Sequence, residues 1–331
     1  MNKIDGFKKL LSVLLRIATS FILLFILFKF NKIDFNSLLR DIKSADRALL
    51  CVGFAFFILS YVMSFWRWKI LLEAVNIFIP LKKLISCFCG GVFFSIFLPS
   101  TIGGDLVRTA DLVSHTRKAK EVIASVFLDR LSGYIGMALV IIPAFLLGGS
   151  LVSDRVVLIS VSAIVLILLL VLLLLFNSFI YEKISGFLSV PGAGRIREAI
   201  KDMHREIHVF RNHKKMIAGN IAISFAIQLI FPVSIYFIGL SLGVKINIFY
   251  YLIFVPIINA ITLLPISMGG LGLREGLYVF YFAKAGVIKQ LALAVSILSF
   301  SFVVFYGAIG GIFYVLTVHR RRLQHDQPSR L

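Results

Sequence analysis

Residues 99–108 read PSTIGGDLVR and residues 265–274 read PISMGGLGLR. Proline, two glycines and an arginine thus recur in register: Pro99, Gly103, Gly104 and Arg108 match Pro265, Gly269, Gly270 and Arg274, at an offset of half the chain. Four matches within ten positions favour a duplication over the coincidence that common membrane-loop residues would give. Each motif closes an apolar stretch, Leu84 to Leu98 and Tyr250 to Leu264. As helix these would reach about 22 Å, short of about 30 Å of hydrocarbon. A proline then stops the helix, so both segments are expected to enter the membrane and turn back.

Around the two motifs the composition makes lipid the solvent. The 331 residues are 59% apolar and 15% charged, against roughly 45–50% and about 25% for a soluble domain. Mean hydropathy is +0.96. Six stretches are long enough to span: 10–30, 48–66, 122–148, 156–176, 216–242 and 288–317. The expected fold is an all-α polytopic membrane protein, with six spanning helices and two re-entrant hairpins arranged as an inverted repeat. The first repeat, 1–148, holds two spans, a hairpin and a span. The second, 149–317, follows the same plan and includes a cytoplasmic amphipathic segment at 177–215, and 318–331 is a basic cytoplasmic tail. Three crossings per unit is odd, so the second copy runs upside down, the plan of many transporters.

The chain carries 35 Lys and Arg against 16 Asp and Glu, a net charge of +19. In a membrane protein this reflects cytoplasmic loops and anionic lipid rather than nucleic acid. With the amino terminus inside, the expected cytoplasmic segments hold 23 of the 35 cations and the external ones 9. The charge therefore places the chain in the cytoplasmic membrane with both termini cytoplasmic. The loop at 31–47 fits least well, since Lys32, Arg40, Lys43 and Arg47 lie outside beside Asp34, Asp41 and Asp46. The stretch before Leu10 resembles a signal peptide, but KFNKIDFNS offers no small-residue cleavage site, so an uncleaved first span is expected.

No cofactor or metal is expected. Cys51, Cys87 and Cys89 lie in apolar runs without zinc spacing. His204 and His208 are one helical turn apart but lack a third ligand. Within 177–215, Ile196, Ile200, Met203, Ile207 and Phe210 recur at helical spacing among Arg195, Arg197, Lys201 and Arg205, which reads as an interfacial helix. Arg16 and Lys29 sit near the ends of the first span and can snorkel, whereas Gln228 and Asn259 suit bonds between helices.

Ionisable groups at membrane depth are costly and default to function. Asp105 and Arg108 follow the first break, Arg274 and Glu275 the second, and Asp129 and Arg130 lie early in the third span. Glycines leave amide donors open at a helix start, where the dipole favours an anion. Beside a guanidinium, such a break suits phosphate. The structural alternative is that Asp105 with Arg108, and Arg274 with Glu275, neutralise each other and cap helices, while Arg130 snorkels.

Three stretches, FLPSTIGGDLVRTADLV, SVFLDRLSGYIG and LLPISMGGLGLREGLYVF, make the chain resemble a known family. These are the flippase-like membrane proteins grouped with the transmembrane region of lysylphosphatidylglycerol synthase. The resemblance covers nearly the whole chain and implies functional positions at Gly103, Gly104, Asp105, Arg108, Asp129, Arg130, Gly269, Gly270, Gly272, Arg274 and Glu275. In the large synthases this region is similar to the part that moves the aminoacylated lipid across the membrane. The soluble domain that makes that lipid is not expected here, and neither is its activity.

The leading expectation is a translocator of an anionic lipid or lipid-linked headgroup, of phospholipid or polyprenyl-phosphate type. Arg108, Arg130 and Arg274 would hold the phosphate, with Gly103, Gly104, Gly269, Gly270 and Gly272. Asp105, Asp129 and Glu275 would balance charge or carry protons. The alternatives are an accessory subunit for a lipid-linked transferase, or a membrane-embedded lipid-modifying enzyme. The enzyme lacks support from a paired-Asp motif, H-E-x-x-H or a nucleophile elbow. Partners would be membrane lipid, a second copy of the chain or a transferase, and no nucleic acid.

Overall fold

The computed structural model describes residues 3–31, 33–98, 102–148, 154–176 and 214–325, and every extended element among them is helical. The described residues form eleven helices: α1 (Lys3–Asn31), α2 (Phe35–Lys43), α3 (Arg47–Ala74), α4 (Leu81–Phe97), α5 (Ile102–Thr116), α6 (Ala119–Leu147), α7 (Arg155–Phe176), α8 (Lys214–Ser241), α9 (Ile248–Thr262), α10 (Leu273–Lys284) and α11 (Lys289–His325). The six apolar stretches fall in α1, α3, α6, α7, α8 and α11. Among the described residues, α3, α6, α7, α8 and α11 are long and apolar enough to cross a membrane, and α1 runs for 29 residues. The expected interfacial segment, with His204 and His208, lies outside the described residues, as do Pro99 and the rest of 99–101.

The remaining helices come in two short pairs. α4 and α5 have 17 and 15 residues, and α9 and α10 have 15 and 12. At 1.5 Å per residue these are about 18–26 Å long, less than the hydrocarbon thickness. α4 stops because Pro99 follows. Leu98 is extended at φ −87°, ψ 150°, the region into which a following proline pushes its neighbour.

The chain divides into two compact units, both drawing on each half of the sequence. One comprises Met1–Ile58, Ile79–Asp111 and Phe231–Leu331; the other, Leu59–Phe78 and Leu112–Ile230. In the first, α11 is the common support, packed against α4, α10 and α2, while α10 also meets α9 and α1. Glycines set the α4–α11 contact. A Cβ on Gly310 would lie 3.1 Å from that of Cys89, one on Gly90 would press into the Tyr314 ring, and ones on Gly311 and Gly307 would press into the Phe93 ring and the Ile96 side chain. Rising numbers on α4 thus meet falling numbers on α11, so the two helices are antiparallel. Between α9 and α10, Tyr251 and Phe254 set their rings edge-on to Phe282 at 5.1 and 5.7 Å.

In the same unit, Asp34 caps α2, accepting hydrogen bonds from the backbone N–H of Asn36 and Ser37. The Ser37 hydroxyl and these amides hold its carboxyl below the usual carboxylate range. In the second unit, α6 packs on α7 through Leu131, Ala138 and Leu168, with Phe127, Tyr134 and Leu172 against them. Much of α7 otherwise exposes large apolar side chains such as Ile159, Ile167 and Leu170. That face is costly in water and ordinary in lipid.

Candidate functional site

The first hairpin, α4 with α5, closes on its two glycines. A Cβ on Gly104 would run into the Gly91 carbonyl oxygen and come within 2.8 Å of Ser95 Cβ, and one on Gly103 would collide with Leu98. Only glycine lets these backbones approach so closely. Further along the same hairpin, Arg108 Nε lies 3.0 Å from Asp105 Oδ1, with both side chains buried. A second pair lies beyond it: Lys83 Nζ donates to both Asp111 oxygens at 2.8 and 3.0 Å. The Cys87 thiol donates to Asp111 Oδ2 at 3.0 Å. The α4–α5 stem is therefore lined with neutralised charge, as burial of ionised groups requires.

The second break is built differently. Gly269, Gly270 and Gly272 take φ values of +55°, +79° and +81°, a left-handed backbone open to glycine and costly to other residues. A Cβ on Gly269 would stand 2.7 Å from the Ile96 carbonyl oxygen at the end of α4. The second break therefore touches the last turn of α4, which leads into the first break. α1 covers the turn from another side, because Ser20 Oγ accepts the Met268 N–H at 3.0 Å, and Leu23 Cβ lies 2.6 Å from where a Cβ on Gly272 would be.

At the start of α10 the buried Glu275 carboxylate accepts the Gly272 N–H at 2.6 Å and an N–H from Arg274 Nη2 at 2.5 Å. The Arg274 guanidinium lies over the Phe300 ring of α11, 4.0 Å from its centroid, a favourable cation–π geometry. Its Nε is buried without a hydrogen-bond partner, and so is the hydroxyl of Ser267, which is 1% exposed. Phe300 lies two turns, about 10 Å, from Gly307 along α11, on the side toward which α4 ends.

Nine of the expected residues, Gly103, Gly104, Asp105, Arg108, Gly269, Gly270, Gly272, Arg274 and Glu275, lie in one compact unit. Asp129 and Arg130 belong to the other. There, Asp129 Oδ1 accepts from Arg67 Nε at 2.8 Å, and Arg67 Nη1 donates to Ser224 Oγ at 3.2 Å. Asn220 donates to the Arg67 carbonyl at 3.1 Å, so α3, α6 and α8 are tied together at one buried point. Arg130 lies within electrostatic reach of Tyr61. Among the described residues no three His, Cys, Asp or Glu side chains gather as a metal site requires.

Sequence reasoning missed Arg67, Lys83, Asp111 and Ser267. Arg67 and Lys83 lie just outside the apolar stretches 48–66 and 84–98 and so read as loop charge, but α3 continues to Ala74 and α4 begins at Leu81, so both fall within helices. Asp111 follows Asp105 and Arg108 at a spacing of three, a signal that one helical face carries all three groups. Nothing in the sequence marked Ser267.

Residues 13–311 match the family model described as the lysylphosphatidylglycerol synthase TM region. A UPF0104 membrane protein of Pyrococcus horikoshii is 25% identical over 280 residues, 77% of this chain and 82% of that protein. A UPF0104 membrane protein of Methanothermobacter thermautotrophicus is 24% identical over 250 residues, 70% of this chain and 74% of that protein. A further match from the same organism is 23% identical over 306 residues, 85% of this chain and 87% of its own. No solved structure matches. This multi-pass membrane protein belongs to the family of the lysylphosphatidylglycerol synthase TM region.

Proposed function

We propose that this protein translocates an anionic lipid or lipid-linked headgroup across the cytoplasmic membrane, the headgroup passing the two helix breaks while its hydrocarbon chains stay in the bilayer. The observation that carries this reading is the packing of the second break on the end of α4, with Gly269 against the Ile96 carbonyl. Irregular backbone at membrane depth survives where protein buries it or where it lines a cavity. Transporters use paired broken helices in this way around a substrate site. Arg108 and Arg274, one after each break, attract the phosphate, and the inverted repeat of 1–148 and 149–317 gives the two breaks opposite entry faces. The family description names a synthase of an anionic-lipid derivative, which agrees with a lipid substrate.

The test is headgroup exposure in liposomes that hold the purified protein and a trace of phosphatidylglycerol fluorescently labelled on an acyl chain near the headgroup. A membrane-impermeant quencher added outside removes about half of the signal in protein-free vesicles. Protein-dependent loss of the protected half supports translocation. A protected half that stays intact, with protein inserted and folded, overturns it.

A further inference from the structure

We infer that the second break is a built oxyanion site, made by the Ser267 hydroxyl, the Arg274 guanidinium and the amides of the Gly269–Gly270 turn, and that its ligand is a phosphate ester. The inference deepens the translocation reading and rests on it for the source of the phosphate.

Three features point to a ligand that the chain itself does not supply. Ser267 is 1% exposed, yet its hydroxyl has no partner. Seven residues on, Arg274 Nε is likewise buried and unanswered. A buried donor left unmet is expensive and calls for an acceptor, and two of them flanking one glycine turn suit a shared one. The backbone between them turns through left-handed glycines, the conformation in which successive N–H groups form an anion-binding concavity. This turn leads into the N-terminus of α10, a 12-residue helix, whose dipole favours negative charge.

The surroundings fix the guanidinium rather than consume it. Phe300 lies beneath its face and Glu275 engages one edge at Nη2, so the planar group is oriented before any ligand arrives. Glu275 also takes the Gly272 N–H, which leaves Ser267 and Arg274 Nε as the open donors. A phosphate ester, with several oxygens in a tetrahedral array, can accept from a hydroxyl, a guanidinium and amides carried on separate backbone positions. The acceptor is the phosphate of a lipid or free phosphate, and the two are separable by experiment.

The experiment is calorimetric titration of the full-length protein in maltoside micelles. The probes are dihexanoyl phosphatidic acid, inorganic phosphate and, as the phosphate-free control, dihexanoylglycerol. The wild type is expected to bind a phosphate probe and not the control. At least tenfold preference for phosphatidic acid assigns a lipid source; the reverse preference assigns free phosphate. Arg274→Gln is expected to weaken binding at least tenfold and Ser267→Ala about three- to tenfold, while Lys284→Gln, at the far end of α10, stays within twofold. Ser267→Ala removes one oxygen from a side chain that bonds nothing in the protein, so it keeps the test valid should Arg274→Gln fail to fold. Unchanged affinity in folded Ser267→Ala and Arg274→Gln, or no binding of either phosphate probe, overturns the site. Wild-type binding that depends on both residues, with no headgroup exposure in liposomes, instead keeps the site and overturns translocation.

Discussion

Replacing Gly269 with alanine tests whether the second break must pack on the end of α4. An L-residue held in the left-handed region costs about 1–2 kcal/mol, and Gly269 sits there at φ +55°. The added methyl would also lie 2.7 Å from the Ile96 carbonyl oxygen. That atom belongs to the last turn of α4 and cannot yield unless the helix moves, which adds an overpacking cost of about 1–3 kcal/mol. The sum is about 2–5 kcal/mol. Two other glycines separate the contributions. Gly286 has φ +77° and open space around its Cβ position, so Gly286→Ala carries the backbone cost alone. Gly276 lies inside α10 with open space and no left-handed φ, so Gly276→Ala should gain about 0.5–1 kcal/mol of helix propensity. With about 2–4 °C of melting temperature per kcal/mol for chains of a couple of hundred residues, Gly269→Ala should fall by roughly 4–20 °C and Gly286→Ala by roughly 2–8 °C, while Gly276→Ala rises slightly. The assay is thermal melting in maltoside micelles, followed by headgroup exposure at a temperature where all three variants are folded. A Gly269→Ala protein that melts no lower than Gly286→Ala would refute the contact between the second break and α4.

Arg67→Gln or Asp129→Asn alone should destabilise by about 3–5 kcal/mol by stranding a buried charge, whereas Arg67→Met with Asp129→Leu should recover most of the loss, as read by melting in a double-mutant cycle. In a background without Cys51, Cys87 and Cys89, an impermeant thiol reagent should reach Ser114→Cys from the cytoplasm and Lys245→Cys from outside. Labelling of both from one face would sink the inverted repeat.

The apolar runs carried most of the fold, because in lipid the same uninterrupted hydrophobic sequence specifies both the helix and its surroundings. The helix breaks were legible from Pro99, Pro265 and their glycines, since those residues act through local backbone geometry. What the sequence could not supply was pairing. Asp105 with Arg108 is a neighbourly i, i+3 pair, but Asp129 finds Arg67 from another helix 62 positions away, and Lys83 finds Asp111 across a hairpin. A linear count treats Arg67 and Lys83 as loop charge, because their helices run past the point where hydropathy falls. Ser267 was invisible for a related reason: an unpartnered hydroxyl is a property of packing, not of residue type.

The contrast between the hairpins bears on how such a protein could work. Charges in the α4–α5 stem are closed by partners of the same hairpin, Arg108 by Asp105 and Lys83 by Asp111. Breaking either pair would leave an uncompensated charge at membrane depth, so the stem is held by electrostatics that favour one arrangement. At the second break the charge pair is just as buried on the carboxylate side; unmet donors occur in both places, the Ser86 hydroxyl on α4 and the Ser267 hydroxyl and Arg274 Nε here, but only here is the backbone glycine held in left-handed turns. Unmet donors gain from a new acceptor, and glycine turns can re-form around one at little steric cost. On the proposed reading, a headgroup phosphate would meet open donors at Ser267 and Arg274, whereas at Arg108 or Lys83 it would have to displace Asp105 or Asp111. Because Gly269 rests on the end of α4, any shift of the turn toward a ligand acts directly on the mouth of the closed hairpin.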